Sequence, residues 1–459
     1  MHHLLLAEIG GWFPVPGVPG AGAPSVVATS GNRTDEPICI DEREALQRLG
    51  RIAELFLVHD RPIARPVDDA VARVVVGQEQ LLRRARGYAP LPIVASAELP
   101  PLLAVGAHLK NTIAVAVGRE LFISQHVGDL ETPQAVEQFG RTARDLQTLY
   151  ALQPQAVACD AHPAYYSTTF AERCGLPVIR VQHHYAHVLA CLGEHGAAPP
   201  ALGAAWDGTG FGLDGTIWGG EFLRILDDGF ARVAHLRTFR LPGGDQAVRE
   251  PRRAALGVLY EVLGDALFGQ AGLAPVRACT TEERRVFRAM LARDCNAPRT
   301  SSMGRFFDAM ASLLDVRQRN RCEGEAAMAL EWLLDGVATD DAYDWCLAAA
   351  APPAPLVLDW EPMVRGVLHD LSACLPVARI AARFHNTLVE MLVTVAQRVG
   401  EPCVALTGGC FQNRYLTERA VQGLRAAGFQ PLWHQRVPPN DGGIAVGQLI
   451  AAGRRRPGS

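Results

Sequence analysis

No CxxC pair occurs in a sequence that nevertheless carries eleven cysteines. An odd number of thiols without such pairs suggests neither a disulfide framework nor a thiolate zinc module, and reduced thiols of a cytoplasmic protein are the expectation. No lysine or arginine precedes the short apolar patch of the opening MHHLLLAEIGGW, so that segment does not qualify as a signal peptide. No uncharged apolar run reaches the length of a bilayer span, and no membrane partner is expected. Charge of one sign is lacking as well. Lys and Arg total 44 against 48 Asp and Glu, a formal charge of -4, and the dense basic run is the terminal RRRP. A nucleic-acid backbone is therefore not the expected partner.

What is present describes a folded chain. Apolar residues make up 49% and charged residues 20% of 459 positions. That length exceeds what one hydrophobic core usually supports, so about two or three lobes are expected. Residues 11–24, GWFPVPGVPGAGAP, are rich enough in Gly and Pro to predict a loop. SVVATSGN then reads as a short strand entering a Ser-Gly-Asn turn, and DEREALQRLGRIAELFLVHD as a helix followed by a strand. Residues 84–101 lose periodicity and gain proline, which places a domain boundary between residues 90 and 100. Beyond it, LLAVGAHLKNTIAVAVGRELFISQ predicts two or three antiparallel strands. Strands and helices then alternate through QAVACD, AYYSTTFAERCG and PVIRVQ, as in a sheet covered by helices. Residues 250–400 are mostly helical by period, and the remainder returns to strand and turn. No short internal repeat appears.

Three glycine turns follow predicted strands: WDGTGFG at 206–212, TGGCFQN at 407–413 and NDGG at 440–443. Glycine there lets backbone N–H groups approach a phosphate, and a following helix start adds a favourable dipole. Asp207 and Asp441 sit inside two of these turns, at predicted carboxyl ends of strands. An acidic side chain beside a phosphate is repelled unless a cation lies between them. His183 and His187, in QHHYAH, are four residues apart, so a helix starting at His183 would project both rings from one face. His184 falls off that face and suits a structural hydrogen bond. Two imidazoles and two carboxylates suit a divalent ion, Fe or Zn foremost, with positions left open for substrate oxygen. Histidines that merely fill a helix start, and aspartates in ordinary Asx-turns, remain the plain alternative at this point.

In order along the chain, VQHHYAH, WDGTGFGLDGTIWGGEF, SSMGRFFDAMASLL, GGCFQNRYL and PPNDGGIAVGQ resemble the HypF carbamoyltransferases of nickel-iron hydrogenase maturation. The resemblance runs from about residue 100 to the end. It implies an α/β fold, a TsaD-like domain over 100–459 with the two lobes of actin-like ATPases. Residues 1–90, through ATSGNRTDEPI, HDRPI and DDAVARVV, resemble the second half of the YrdC-like domain that precedes it in that family. The family usually opens with an acylphosphatase domain and CxxC modules, so the expectation is a chain truncated at its N-terminus with a partial YrdC-like domain.

The resemblance implies chemistry too. Carbamoyl phosphate and ATP would give carbamoyl-adenylate at the YrdC-like site. The TsaD-like site would then pass the carbamoyl group to the C-terminal cysteine of HypE. By motif, His183, His187, Asp207 and Asp441 match the metal ligands, and Gly208, Thr209 and Gly210 the turn near the phosphates. Asp308, Gly324, Gly408, Gly409 and Asn413 match the adenosine and ribose contacts, and Ser30 and Asn32 the turn at the YrdC-like nucleotide. Lys110 is a candidate second cation over the phosphate. The alternatives are an O-carbamoyltransferase acting on a small hydroxylated molecule, a catalytically incomplete nucleotide-binding scaffold, and a sugar kinase of the same superfamily. The last would leave the His183/His187 pair without a task.

Overall fold

The computed structural model describes residues 2–12, 25–34, 36–348 and 354–454. The chain divides into two units, Met1–Asp68 and Asp69–Ser459. In the first unit, helix His2–Trp12 takes in the start of the glycine-rich stretch predicted as loop; its residues 13–24 lie outside the described residues. Helix Glu42–Leu49 forms as expected, capped by the Asp41 carboxylate, which accepts from the amides of Arg43 and Glu44.

Two expected strands in this unit are absent. Residues 25–30 and the segment after the Glu42–Leu49 helix take up no strand. No ladder partner is present among the described residues of the unit, and an unpaired strand has nothing to satisfy its backbone. Leu55 and Leu57 accordingly stand 91% and 93% exposed.

The second unit opens on a hairpin of β1 (Val71–Val75) and β2 (Gln78–Arg83). A four-stranded sheet follows, in order β4-β3-β5-β6, from β3 (Pro92–Ala104), β4 (Ala114–Ile123), β5 (Ala156–Asp160) and β6 (Val178–Val181). The nine-stranded sheet comprises β7 (Ala201–Phe211), β8 (Ile217–Leu226), β9 (Gly229–Leu236), β10 (Phe239–Arg240), β11 (Arg299–Thr300), β12 (Cys346–Ala348), β13 (Leu356–Asp359), β14 (Cys403–Thr407) and β15 (Gln430–Trp433). Its main path runs β12-β13-β9-β8-β7-β14-β15.

Both large sheets follow one scheme. A hairpin is formed first, β3 with β4 and β7 with β8. Its first strand then pairs in parallel with a strand returning through a helical connection, β5 and β14 respectively. This repeated α/β scheme is the expected pair of lobes. A large core lies under the nine-stranded sheet around Trp206, Phe222, Phe306 and Trp360. A separate core, including Phe139 and Leu146, supports the smaller sheet.

Three sequence expectations change here. The aperiodic stretch 84–101 contains most of β3, a thirteen-residue strand. Its pairing with β4 shifts register between Val94 and Leu99 and again between Leu99 and Leu102, which is where Pro100 and Pro101 fit without ladder N–H groups. WDGTGFG is not a strand-to-helix turn. Trp206 pairs with Gly220 and Gly210 with Trp218, so residues 207–209 bulge opposite Gly219 inside the β7–β8 hairpin. Asp441 is not at a strand end either. Residues 434–440 separate it from β15, and it opens a short 3-10 turn before helix Ile444–Arg454.

Candidate metal centre and adjoining cavity

Helix His183–Glu194 begins at His183 because the Gln182 side chain caps it, accepting from the amide of Tyr185 at 2.8 Å. That start places His183 and His187 on one face, as the spacing predicts. The bulge in β7 turns Asp207 toward them, and the amide of Gly409 donates to Asp207 Oδ1 at 2.9 Å. Asp441 is set by its own turn: the Asn440 side chain caps it at Gly442 N and also donates to Leu82 O, while Thr112 donates to Gly442 O.

The four side chains converge. Nε2 of His183 lies 3.5 Å from Asp207 Oδ2 and 3.6 Å from Asp441 Oδ1, and Nε2 of His187 lies 3.6 Å from each of the same oxygens. All four donor atoms fall within 4.8 Å of one another. Both imidazoles are fully buried, and neither Nε2 has a hydrogen-bond partner. Four donors around one ion with bonds of about 2.1 Å would be spaced roughly 3.4 Å apart in a tetrahedral shell. The donor set and its orphaned nitrogens therefore fit a divalent cation.

Electrostatics point the same way. Burial pulls His183 down, but Asp441 and Asp160 beside it outweigh that and hold the ring well above the usual histidine value. Burial alone would raise Asp441, yet the neighbouring imidazoles, His183 first, bring it down to about 2. Asp207 is likewise held well below the usual carboxylate range against its burial. A buried set of carboxylates this close demands positive charge from protons or from a metal ion.

Asp160, at the end of β5, completes the centre and was not singled out from sequence. It is fully buried and accepts from His183 Nδ1 at 2.7 Å, which leaves the Nε2 lone pair facing the cluster. The available signal was an acidic residue closing the apolar strand AVACD. Asp160→Asn is expected to weaken metal binding about 10- to 100-fold; titration of the metal-free variant with the ion checks this, and unchanged affinity would remove Asp160 from the centre. His184 takes the structural place expected of it, beside Trp218 with Nδ1 near the Gln182 amide. Burial and the charge of His183 push it well below its usual pKa, so it stays neutral.

A cavity of about 230 Å³ adjoins the cluster. Of the residues matched by motif, Asp207, Gly208, Asp308, Gly324, Gly409 and Asn413 line it, together with the candidate cation Lys110. Gly408 lies behind the lining, its amide bonded to Pro439 O. Thr209 is exposed on the bulge and donates to Gly208 O. Gly210 serves the histidines: a Cβ there would come within 2.3 Å of His184 Cε1 and 2.9 Å of His183 Cδ2. Lys110 is ion-paired with Glu323. Asn413 caps helix Arg414–Ala426 through its side-chain oxygen and donates its amide toward His385 Nε2. Ser30 and Asn32 lie in the first unit, where the Asn32 amide donates to Arg33 O and Glu36 O within its own turn. Arg73, Arg305 and Met328 also line the cavity; sequence reading passed over all three. All eleven cysteines are free thiols, and no described helix is long and apolar enough to cross a membrane.

A family model described as the second subdomain of the carbamoyltransferase Kae1-like domain matches residues 203–448, and one described as the HypF Kae1-like domain matches 97–194. A Sua5/YciO/YrdC model, described as telomere recombination, matches residues 1–85. The chain is similar to a Synechocystis carbamoyltransferase HypF, 43% identical over 98% of this chain and 58% of the relative. It is also similar to a Cupriavidus necator HypF homolog, 39% identical over 79% of this chain and 93% of the relative. Among solved structures, full-length HypF in a phosphate- and nucleotide-bound form superposes with a TM-score of 0.88 at 38% identity, over 94% of this chain and 68% of that one. The chain spans little more than half of the Synechocystis relative. With both Kae1-like segments and the YrdC-type segment matched in order, the chain belongs to the HypF carbamoyltransferase family.

Proposed function

We propose that this chain transfers a carbamoyl group from carbamoyl-adenylate, itself made from carbamoyl phosphate and ATP, to the C-terminal cysteine of HypE. The thiocarbamate so formed is the precursor of the hydrogenase cyanide ligand, and the reaction is cytoplasmic. The observation that carries this reading is the convergence of four donors with two orphaned Nε2 atoms at one end of a cavity lined by motif-matched residues.

A divalent cation, Fe or Zn, held by His183, His187, Asp207 and Asp441 would supply Lewis acidity toward carbonyl and phosphate oxygens. The rest falls to the chain. Asp160 fixes the ring of His183, and the Gly409 amide fixes one oxygen of Asp207, so the donor face is set before substrate arrives. The thiolate adds to the carbamoyl carbon, the carbon–sulfur bond forms, the bond to the phosphate oxygen breaks and AMP departs with the electron pair. Burial of the centre limits access of water, which would otherwise hydrolyse the adenylate. Ser30 and Asn32 belong to the adenylate-forming side of this reading.

The test supplies carbamoyl-adenylate and a HypE-type acceptor to the purified, metal-loaded chain and weighs the acceptor by mass spectrometry. A gain of one carbamoyl group on the terminal cysteine is expected. An unmodified acceptor with full metal occupancy would overturn the proposal.

A further inference from the structure

Three cationic side chains line the cavity, and two are already neutralised. Lys110 pairs with Glu323. Arg73 pairs with Glu331 at 2.8 Å and donates to Gln412 O at 2.8 Å. Arg305 differs. It is only 6% exposed, and its Nε and Nη1 have no hydrogen-bond partner among the described residues. Its one ion pair among the described residues is Nη2 to Asp308 Oδ2 at 3.1 Å, one turn along helix Met303–Leu313. Leaving guanidinium N–H groups buried and unmatched is costly, and such groups normally find an acceptor.

The surroundings say which acceptor. Nη2 lies 3.7 Å from where a Cβ of Gly208 would be, so the guanidinium abuts the bulge that carries Asp207. The cavity wall there is made of Gly208, Gly304 and Gly409, which leave room for a group against the backbone. A guanidinium fork suits a tetrahedral oxyanion bound bidentately. Asp308, buried and pushed up to about 6 by that burial despite the opposing charge of Arg305, sits as the one carboxylate holding the fork in place.

We infer that Arg305 grips the phosphate of the adenylate beside the metal centre and that Asp308 is its positioning residue. This rests on the nucleotide reading above. On departure of AMP the phosphate gains negative charge, and the arginine is set to neutralise it.

The experiment compares binding of AMP and of adenosine to the metal-loaded chain by calorimetry. Arg305→Gln is expected to weaken AMP about 10- to 100-fold while leaving adenosine within about twofold. Arg305→Lys, which keeps the charge without the fork, should recover part of the loss, and metal content reports folding in both variants. Asp308→Asn should weaken AMP in the same selective sense. Equal losses for AMP and adenosine in Arg305→Gln, or no loss for either, would overturn the assignment. Adenosine weakened by Asp308→Asn would overturn the positioning role. If the unmutated chain bound neither ligand, the nucleotide reading itself would fall; normal AMP binding by Arg305→Gln would sink the inference alone.

Discussion

His187→Ala is expected to empty the metal centre and to lower carbamoyl transfer by about 10³-fold or more. The ring offers Nε2 to the cluster and makes no hydrogen bond among the described residues, its Nδ1 and Nε2 both being without partners; it also stands edge-on to the His183 ring. Its removal therefore breaks no internal network. The helix around it keeps an anchor, because Thr407 donates to the His187 backbone carbonyl, which the substitution retains. What disappears is one donor in four, together with the neutralising charge that Asp207 and Asp441 share across 3.6 Å. Those carboxylates would then face each other with His183 alone between them, an arrangement that repels both. Elemental analysis and the acceptor mass shift read the two effects separately. A variant that keeps one equivalent of metal would remove His187 from the ligand set. One that loses the metal yet transfers at the original rate would remove the metal from the chemistry.

How much of this was legible beforehand follows from the range of each interaction. The face shared by His183 and His187 is a local matter of 3.6-residue periodicity and a capping Gln182, and a single stretch of sequence contains it. The bulge that aims Asp207 is not local: it depends on how residues 207–209 oppose Gly219 in the neighbouring strand, so WDGTGFG resembled a strand-to-helix turn. Asp160 was invisible for the same reason, since it meets His183 across 23 positions. Arg305 stood in plain view within SSMGRFFDAM, but only its burial and its unmatched N–H groups distinguish it from an ordinary surface arginine. In the first unit, apolar residues such as Leu55 and Leu57 suggested a strand, and the pattern could not reveal that no neighbouring strand would pair with it.

Gly447→Ala should cost about 3 kcal/mol of stability or more and displace Asp441 from the cluster, although residue 447 is neither one of the four clustered donors nor part of the cavity lining. Helices His183–Glu194 and Ile444–Arg454 cross where Gly447 meets Ala186, next door to His187. A Cβ at 447 would lie 1.8 Å from Ala186 O, 2.5 Å from its carbonyl carbon and 2.8 Å from its Cα. These are backbone atoms inside a helix, so no rotamer change can relieve the overlap and the two helices must separate. Gly193 against Ile450 extends the same close seam, with a Cβ there 2.1 Å from Ile450 Cδ1, but that contact ends on a side chain and can yield. Separation at Gly447 moves the turn Asp441–Gly443, which feeds directly into the Ile444–Arg454 helix, away from both imidazoles. Gly193→Ala is the control: it should lower the melting temperature less and leave metal occupancy intact. Thermal unfolding and elemental analysis of the two variants check this. Should Gly447→Ala retain full occupancy and unmutated stability, the helix crossing would not be what brings Asp441 to the histidines, and the turn capped by Asn440 would have to hold it alone.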